Sequence, residues 1–474
     1  MSPRAVLLSL TLVLPFASLA CSSAEQASPL PRTIEPDTTA VCTEGESRCE
    51  GDAIATCSGG AFGAPVACDG DAICKAGACV EPTAEQRAQA AELASMLGFL
   101  EETTAWHGPI DWAGLERDGR LAIFRGDGGA QDYFAALFRA FVRVPQGHQG
   151  LYLARGCGKT VPSIGYASRC ACGRPHPRGV VVTYARAGNP LGVSAGDLVV
   201  RVGETGGRAV LDELADRPAC VTSRPSASYR DASVAATFAD LVRAGEVLEI
   251  ESPGGERREV TVPAGAPPST LGVSCADPLG RDTSVPVESY VRPDGVGVIR
   301  LPGFTDPEQT FPSTGADIEA YRAKFVAKIQ AAFDAVKSAP AIVWDVRGNG
   351  GGLTLVGLEI ASGFPGAQGG EVSYCQARVV GSEPPAFDPL RYAQYALTPG
   401  GAFAYAGKVA VLIDGLDYSA ADYFPLVAKA KTSARLVGAA TAGGFGATSD
   451  TKQFDGPPSF AVSTDRNRCA LVCS

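Results

Sequence analysis

Histidine is almost absent from this chain. Its 474 residues hold three, at His107, His148 and His176, so chemistry that needs an imidazole has few places to find one. Positive charge is also in deficit: 41 Lys and Arg against 51 Asp and Glu give a net charge of −10. A nucleic-acid partner asks for a basic stripe or patch, and the sequence offers none. The apolar run from Ala5 to Leu14 is too short to span a bilayer. No glycine-rich turn ends in Gly-Lys-Ser or Gly-Lys-Thr or carries dinucleotide spacing, which argues against phosphate binding. Hydrophobic residues at 45% and charged residues at 19% exclude a disordered chain and leave a globular one.

The N-terminus reads as a targeting segment. Arg4 precedes the apolar run, and Ala17, Ser18 and Ala20 follow it as small exit residues, the pattern of a secretory signal. Cys21 stands at the cleavage point, and Ser18-Leu19-Ala20-Cys21 is similar to a bacterial lipobox. The expectation is a signal over 1–20, lipidation of Cys21, and export to the bacterial cell envelope as a membrane-anchored lipoprotein. Cysteine parity agrees. Of 15 cysteines, setting Cys21 aside leaves six from Cys42 to Cys79 and eight from Cys157 to Cys473, both even. In an oxidising compartment disulfides are the default over zinc, and the first group contains no Cys-x-x-Cys. Cys157, Cys170, Cys172 and His176 are likewise better explained by pairing than by a metal. Neither metal nor cofactor is expected.

The rest divides by pattern. Residues 21–40 are polar and Pro-bearing, a tether. Residues 41–81 are a small disulfide-held module, too short to bury a core of its own and read as a spacer or binding knob. Residues 83–147 are helical. Thr83 and Gln86 form a capping box before a helix over about 84–102, and Tyr133, Phe134, Leu137, Phe138 and Phe141 recur at helical spacing after Asp132. Residues 148–265 are rich in short strands: Val180 to Thr183, Leu198 to Val202, Leu248 to Ile250 and Val260 to Val262, with a helical stretch at Val210 to Ala215. Residues 286–474 alternate strands and helices, which predicts an α/β layer and a multi-domain α/β fold class.

Two turns in that last region carry the candidate chemistry. Asp345-Val346-Arg347-Gly348-Asn349-Gly350-Gly351-Gly352 follows the apolar run from Ala341 to Trp344. Asp417-Tyr418-Ser419-Ala420-Ala421-Asp422 follows Val409 to Ile413 and opens a helix. Ser419 and Asp422 have capping-box spacing, so a plain helix cap accounts for them taken alone. The same geometry also seats a hydroxyl among unpaired N–H groups at a helix N-terminus, where a developing oxyanion would be stabilised. A serine nucleophile needs a base. His107 follows Trp106 in a helical stretch, and His176 belongs to the cysteine cluster. His148, in a Gly-flanked turn between helix and strand, is the best base available.

These residues resemble the S41 peptidases, the C-terminal processing or tail-specific protease superfamily. Asp345 to Gly352 is similar to that family's Asp-Leu-Arg-x-Asn-x-Gly-Gly signature, and Val409 through Ser419 to Gly438 is similar to its nucleophile strand, helix and following strand. Ile110-Asp111-Trp112 and the helix ending at Gly147-His148 resemble the helical part of the branch that includes the tricorn core and interphotoreceptor retinoid-binding protein. The order of elements in 148–265 resembles a PDZ domain. The resemblance implies a core of the ClpP/crotonase-like type and serine endopeptidase activity on extended polypeptides. The PDZ-like part would add the substrate as a strand or grip a chain end. It implies Ser419 as nucleophile, His148 as general base and then acid, and the N–H groups of Gly351 and Ala420 as oxyanion donors.

Two departures matter. The lysine-type members carry a base in a Gly-Lys-Gly turn. Here Thr441 to Gly446 has no lysine, Lys429 and Lys431 are expected to face solvent, and Lys452 is too far along. The Ser-His branch takes an orienting glutamate from near its C-terminus, yet no glutamate follows Glu383. Asp450, Asp455 and Asp465 are the candidate substitutes. The alternative to an enzyme is an inactive peptide-binding or surface-interaction protein on a peptidase scaffold.

Overall fold

The computed structural model describes residues 42–104, 108–153, 171–219, 224–264, 275, 277, 282–312, 315–382, 386–390, 392–445, 450–455, 459–464 and 467–471. Cys21, His107, Cys157, Cys170, Asp465 and Cys473 lie outside them, as do the expected signal and tether.

The central layer is a five-stranded sheet. Its order is Glu288–Val291, Gly297–Arg300, Ala341–Asp345, Lys408–Ile413 and Arg435–Gly438. The first pair is antiparallel and the other three pairings are parallel. Parallel neighbours need crossover connections, and the helices Gly315–Val336, Thr354–Ser362 and Ala420–Lys431 supply them. Alternate residues of the strand Lys408–Ile413 are buried, while Gly297–Arg300 is buried throughout. The core they close is aromatic: Phe333, Trp344, Phe364, Phe403 and Phe424 meet edge-on or tilted at centroid distances of 5.7 to 6.1 Å, and Phe333 stacks on Trp344. Both candidate turns leave carboxyl ends of neighbouring strands, where open α/β sheets place their ligands. The α/β expectation holds.

The helical part consists of Ala84–Thr103, Trp112–Arg125 and Ala130–Phe141. The capping box at Thr83 and Gln86 is present in both directions. One feature was not legible in the sequence. The C-terminal hairpin Asp450–Phe454 and Phe460–Thr464 returns to this part, pairs with Gly150–Leu153, and buries Phe454 and Phe460 against Tyr133 and its neighbours. The sheet beside the base turn thus joins segments far apart in the chain.

The cysteine-rich module is stapled by Cys42–Cys57, Cys49–Cys74 and Cys68–Cys79. It is docked rather than loose: Ile73 enters the helical core and Lys75 Nζ donates to the Gly126 carbonyl at 2.7 Å. The β-rich region forms a six-stranded sheet with the helices Ala209–Ala215, Ala227–Ala236 and Phe238–Leu241. The four expected strands and the expected helix all occur. The strand Ala171–His176 and the helix Ala227–Ala236 were hidden, the first by its cysteines and proline. Cys172–Cys275 and the bond from Arg174 Nη1 to the Cys275 carbonyl, 3.0 Å, set residue 275 against that strand. Residue 275 thus lies beside one edge strand of that sheet. Among the described residues no helix is long and apolar enough to cross a membrane.

Candidate active site

The two turns are sewn together by main-chain and carboxylate bonds. Arg347 grips both oxygens of Asp345 at 2.8 Å, a bidentate pair that fixes the start of the glycine turn. Asn349 is fully buried, and its side-chain N–H donates to the Leu301 carbonyl at 3.0 Å. The Asn349 carbonyl accepts the Tyr418 N–H at 2.9 Å, which joins the glycine turn to the serine turn. Beneath them, Asp414 accepts the N–H groups of Gly348 and Leu416, and Asp417 accepts those of Asn349 and Asp414. Burial raises the pKa of both carboxyls, that of Asp417 well above the usual carboxylate range, while Arg174 opposes the shift at Asp414.

Ser419 sits at φ 60° and ψ −119°, a conformation that favours glycine. His148 is at φ 52°. With Ala76, these are the non-glycine residues at positive φ among the described residues. The side chains of these two residues meet: His148 Nε2 lies 3.0 Å from Ser419 Oγ, across 271 positions of sequence. The serine hydroxyl makes no cap bond to its own helix. Half of the capping box survives, because the Asp422 carboxylate accepts the Ser419 N–H. The hydroxyl itself is turned to the imidazole.

Burial lowers the pKa of His148, and the Phe445 main-chain carbonyl, hydrogen-bonded to the ring, pulls it back up by less. The imidazole is therefore neutral at neutral pH. A ring N–H given to that carbonyl leaves Nε2 as an acceptor for the serine proton. The carbonyl stands where an orienting acid was expected. Asp450 begins the hairpin at the end nearest the base, one strand removed from the strand that pairs with Gly150, so about 10 Å of sheet separates them. Asp455 does not fit the role. It is exposed past the far end of that strand, about 17 Å further along at ~3.4 Å per residue.

The loop that carries Phe445 is held by Asp422. Its two oxygens accept the N–H groups of Gly443 at 2.8 Å and Gly444 at 2.9 Å, and Thr441 donates a side-chain bond. Burial outweighs these bonds and raises the carboxyl from 3.8 to about 6. Gly147, beside the base, packs against this loop: a Cβ there would lie 2.5 Å from Gly444 Cα.

Of the two expected oxyanion donors, Ala420 presents its N–H at the start of the helix, with no acceptor among the described residues. Gly351 does not. Its N–H donates to Asn349 Oδ1 at 2.8 Å. What Gly351 contributes here is the lack of a side chain, since a Cβ would lie 2.7 Å from Ser419 Cβ. The lysines stay away from the serine. Lys429 is exposed as expected, whereas Lys431 is buried, which corrects that expectation; it lies twelve residues along the helix, ~18 Å from Ser419. Lys452 bonds Ser95. No cluster of His, Cys, Asp or Glu suited to a metal occurs among the described residues.

The roles of Tyr418, Phe445 and Asn349 escape sequence reasoning. Each acts through a main-chain group or a partner far along the chain. The adjacency of Tyr418 to the candidate nucleophile was the one available signal.

Comparison with known proteins bears on the family and the fold. The profile of peptidase family S41 matches residues 295–466. The crystal structure of mature CPAF superposes with TM-score 0.58 at 17% identity, over 83% of this chain and 90% of that one. Mature CPAF complexed with lactacystin gives TM-score 0.59 at 16% identity, over 82% and 91%. Identity this low establishes a shared fold. No curated protein sequence matches the chain. The stretch matched by the S41 profile, residues 295–466, holds both turns and Ser419.

Proposed function

We propose that this protein is an exported, lipid-anchored serine endopeptidase that cleaves extended polypeptides by a Ser-His mechanism. The observation that carries the reading is the 3.0 Å approach of His148 Nε2 to Ser419 Oγ, with both residues held in strained backbone. In the reaction, Ser419 Oγ attacks the scissile carbonyl carbon while His148 Nε2 takes the serine proton. The oxyanion so formed receives the Ala420 N–H. A second donor becomes available when the Gly351 N–H leaves Asn349 Oδ1 for the charged oxygen, a stronger acceptor than an amide. The C–N bond then breaks, His148 returns its proton to the leaving amine, and water repeats the sequence on the acyl-enzyme. The neutral imidazole and the Phe445 carbonyl supply what the first proton transfer needs.

The signal-like N-terminus and Cys21 support a place in the bacterial cell envelope, with a lipid on Cys21 as the membrane anchor. The acidic balance fits a protein that does not act on nucleic acid.

The test is digestion of an unfolded polypeptide such as casein by the purified protein. Cleavage is expected from the native chain and absent from Ser419→Ala and His148→Ala. Cleavage that persists in Ser419→Ala contradicts the assignment. A folded, inert native chain favours the reading as a binding protein.

A further inference from the structure

One side chain next to the nucleophile touches the base at both its main chain and its ring. The Tyr418 hydroxyl accepts the His148 main-chain N–H at 2.5 Å, and the tyrosine ring lies on the imidazole at a centroid distance of 4.9 Å. A second ring, Tyr229 from the helix Ala227–Ala236 of the β-rich region, lies 5.4 Å from that of Tyr418. The Tyr418 N–H is tied to Asn349, and its carbonyl accepts from Ala421. Tyr418 is thus fixed at its backbone by the glycine turn and the nucleophile helix, and at its ring by another region of the chain.

Resting on the Ser419-His148 reading above, we infer that Tyr418 is a positioning residue that sets the base on the nucleophile. The argument is geometric. His148 occupies the left-handed region, which a non-glycine residue keeps only where its surroundings over-determine it. Its N–H is the group whose direction changes when φ relaxes, and that N–H ends on Tyr418. Because Tyr418 directly precedes Ser419, a single aromatic side chain with two rotatable bonds fixes the main chain of the base relative to the main chain of the nucleophile. The 3.0 Å contact of Nε2 with Oγ follows from that fixing. Gly444 belongs to the same device. A Cβ built on Gly444 would overlap the Tyr418 ring, and Gly444 itself packs under Gly147, next to His148. A bare residue at 444 lets the ring reach the base.

Two substitutions test this independently. Tyr418→Phe removes only the hydroxyl. Gly444→Ala keeps the hydroxyl but displaces the ring, at a position whose φ an alanine can adopt. For each, kcat and KM on a peptide substrate, the rate of Ser419 modification by a fluorophosphonate and the thermal midpoint are measured against the native chain. Displacing the base by about 1 Å should lower kcat, and the fluorophosphonate rate with it, by up to about 100-fold, while KM changes by less than about twofold. The acid limb of the pH profile should move up towards the ordinary histidine value as the ring leaves its buried seat. Should Tyr418→Phe fail to fold, Gly444→Ala carries the test. Native-like kcat and labelling in a folded variant overturn the inference, as does a loss confined to KM. A native chain that is not labelled at Ser419 refutes the Ser-His reading instead, so the two failures are distinguishable.

Discussion

Replacing Gly351 by alanine should disable the site, and the same change one residue earlier should not. Gly351 is at φ 99°, and a Cβ there would lie 2.6 Å from the Tyr418 carbonyl oxygen, 2.7 Å from Ser419 Cβ and 3.1 Å from the Ala420 nitrogen. Carbon atoms pack at about 3.5 Å or more, so the serine turn must retreat by about 0.8 Å or the glycine turn must open by as much. Backbone strain at positive φ adds about 1–3 kcal/mol and the overlap a further ~1–3 kcal/mol. A nucleophile moved by that distance loses up to about two orders of magnitude in rate. At Gly350 φ is not positive and a Cβ meets nothing within 4 Å, so Gly350→Ala should change stability by less than about 0.5 kcal/mol. Peptide hydrolysis and urea unfolding of the two variants together make the assay. Equal damage at 350 and 351 would refute the reasoning, because it would mean that the turn acts through glycine flexibility in general. A fully active Gly351→Ala would refute it as well, since the close approach to Ser419 would then not matter.

Other outcomes follow from the buried charges and the cross-links. The His148 pKa is lowered by burial, so activity should fall with acid through an apparent pKa below 6.5 and be complete at neutral pH, as a pH profile of kcat/KM will show. Asp422 is raised from 3.8 to about 6, so its contribution to stability is full below about 3.8 and is lost as pH rises through 6. At about 1.4 kcal/mol per pH unit the loss is ~3 kcal/mol, and melting curves from pH 4 to 8 should show a flatter dependence in Asp422→Asn than in the native chain. Opening Cys172–Cys275 with a double serine variant releases a link across 103 positions, and loop entropy predicts a loss of about 4–5 kcal/mol from the β-rich region.

The legible parts were those written in local pattern. An apolar run ending in Asp345 and a glycine string give a strand and a turn, and the strand is Ala341–Asp345. The apolar spacing after Asp132 gives the helix that runs from Ala130 to Phe141. His148 emerged by elimination from three histidines, which is why scarcity was informative. The illegible parts depend on which main-chain group finds which partner. Nothing in Asn349 announces that its amide takes the Gly351 N–H, and nothing in Phe445 announces that its carbonyl meets an imidazole far away in the chain. The helix Ala227–Ala236 escaped because its small residues give little apolar contrast, although it buries Val234, Ala235 and Ala236. Lys431 was expected at the surface from its charge, yet the helix end carries it inside.

The account stands on Ser419 being a nucleophile activated by His148. Mass spectrometry of the native chain after fluorophosphonate treatment measures this most directly. A single adduct mapped to Ser419, missing from Ser419→Ala and slowed at least tenfold in His148→Ala, is the predicted result. An adduct on another serine, or labelling of Ser419 that ignores the loss of His148, would contradict it.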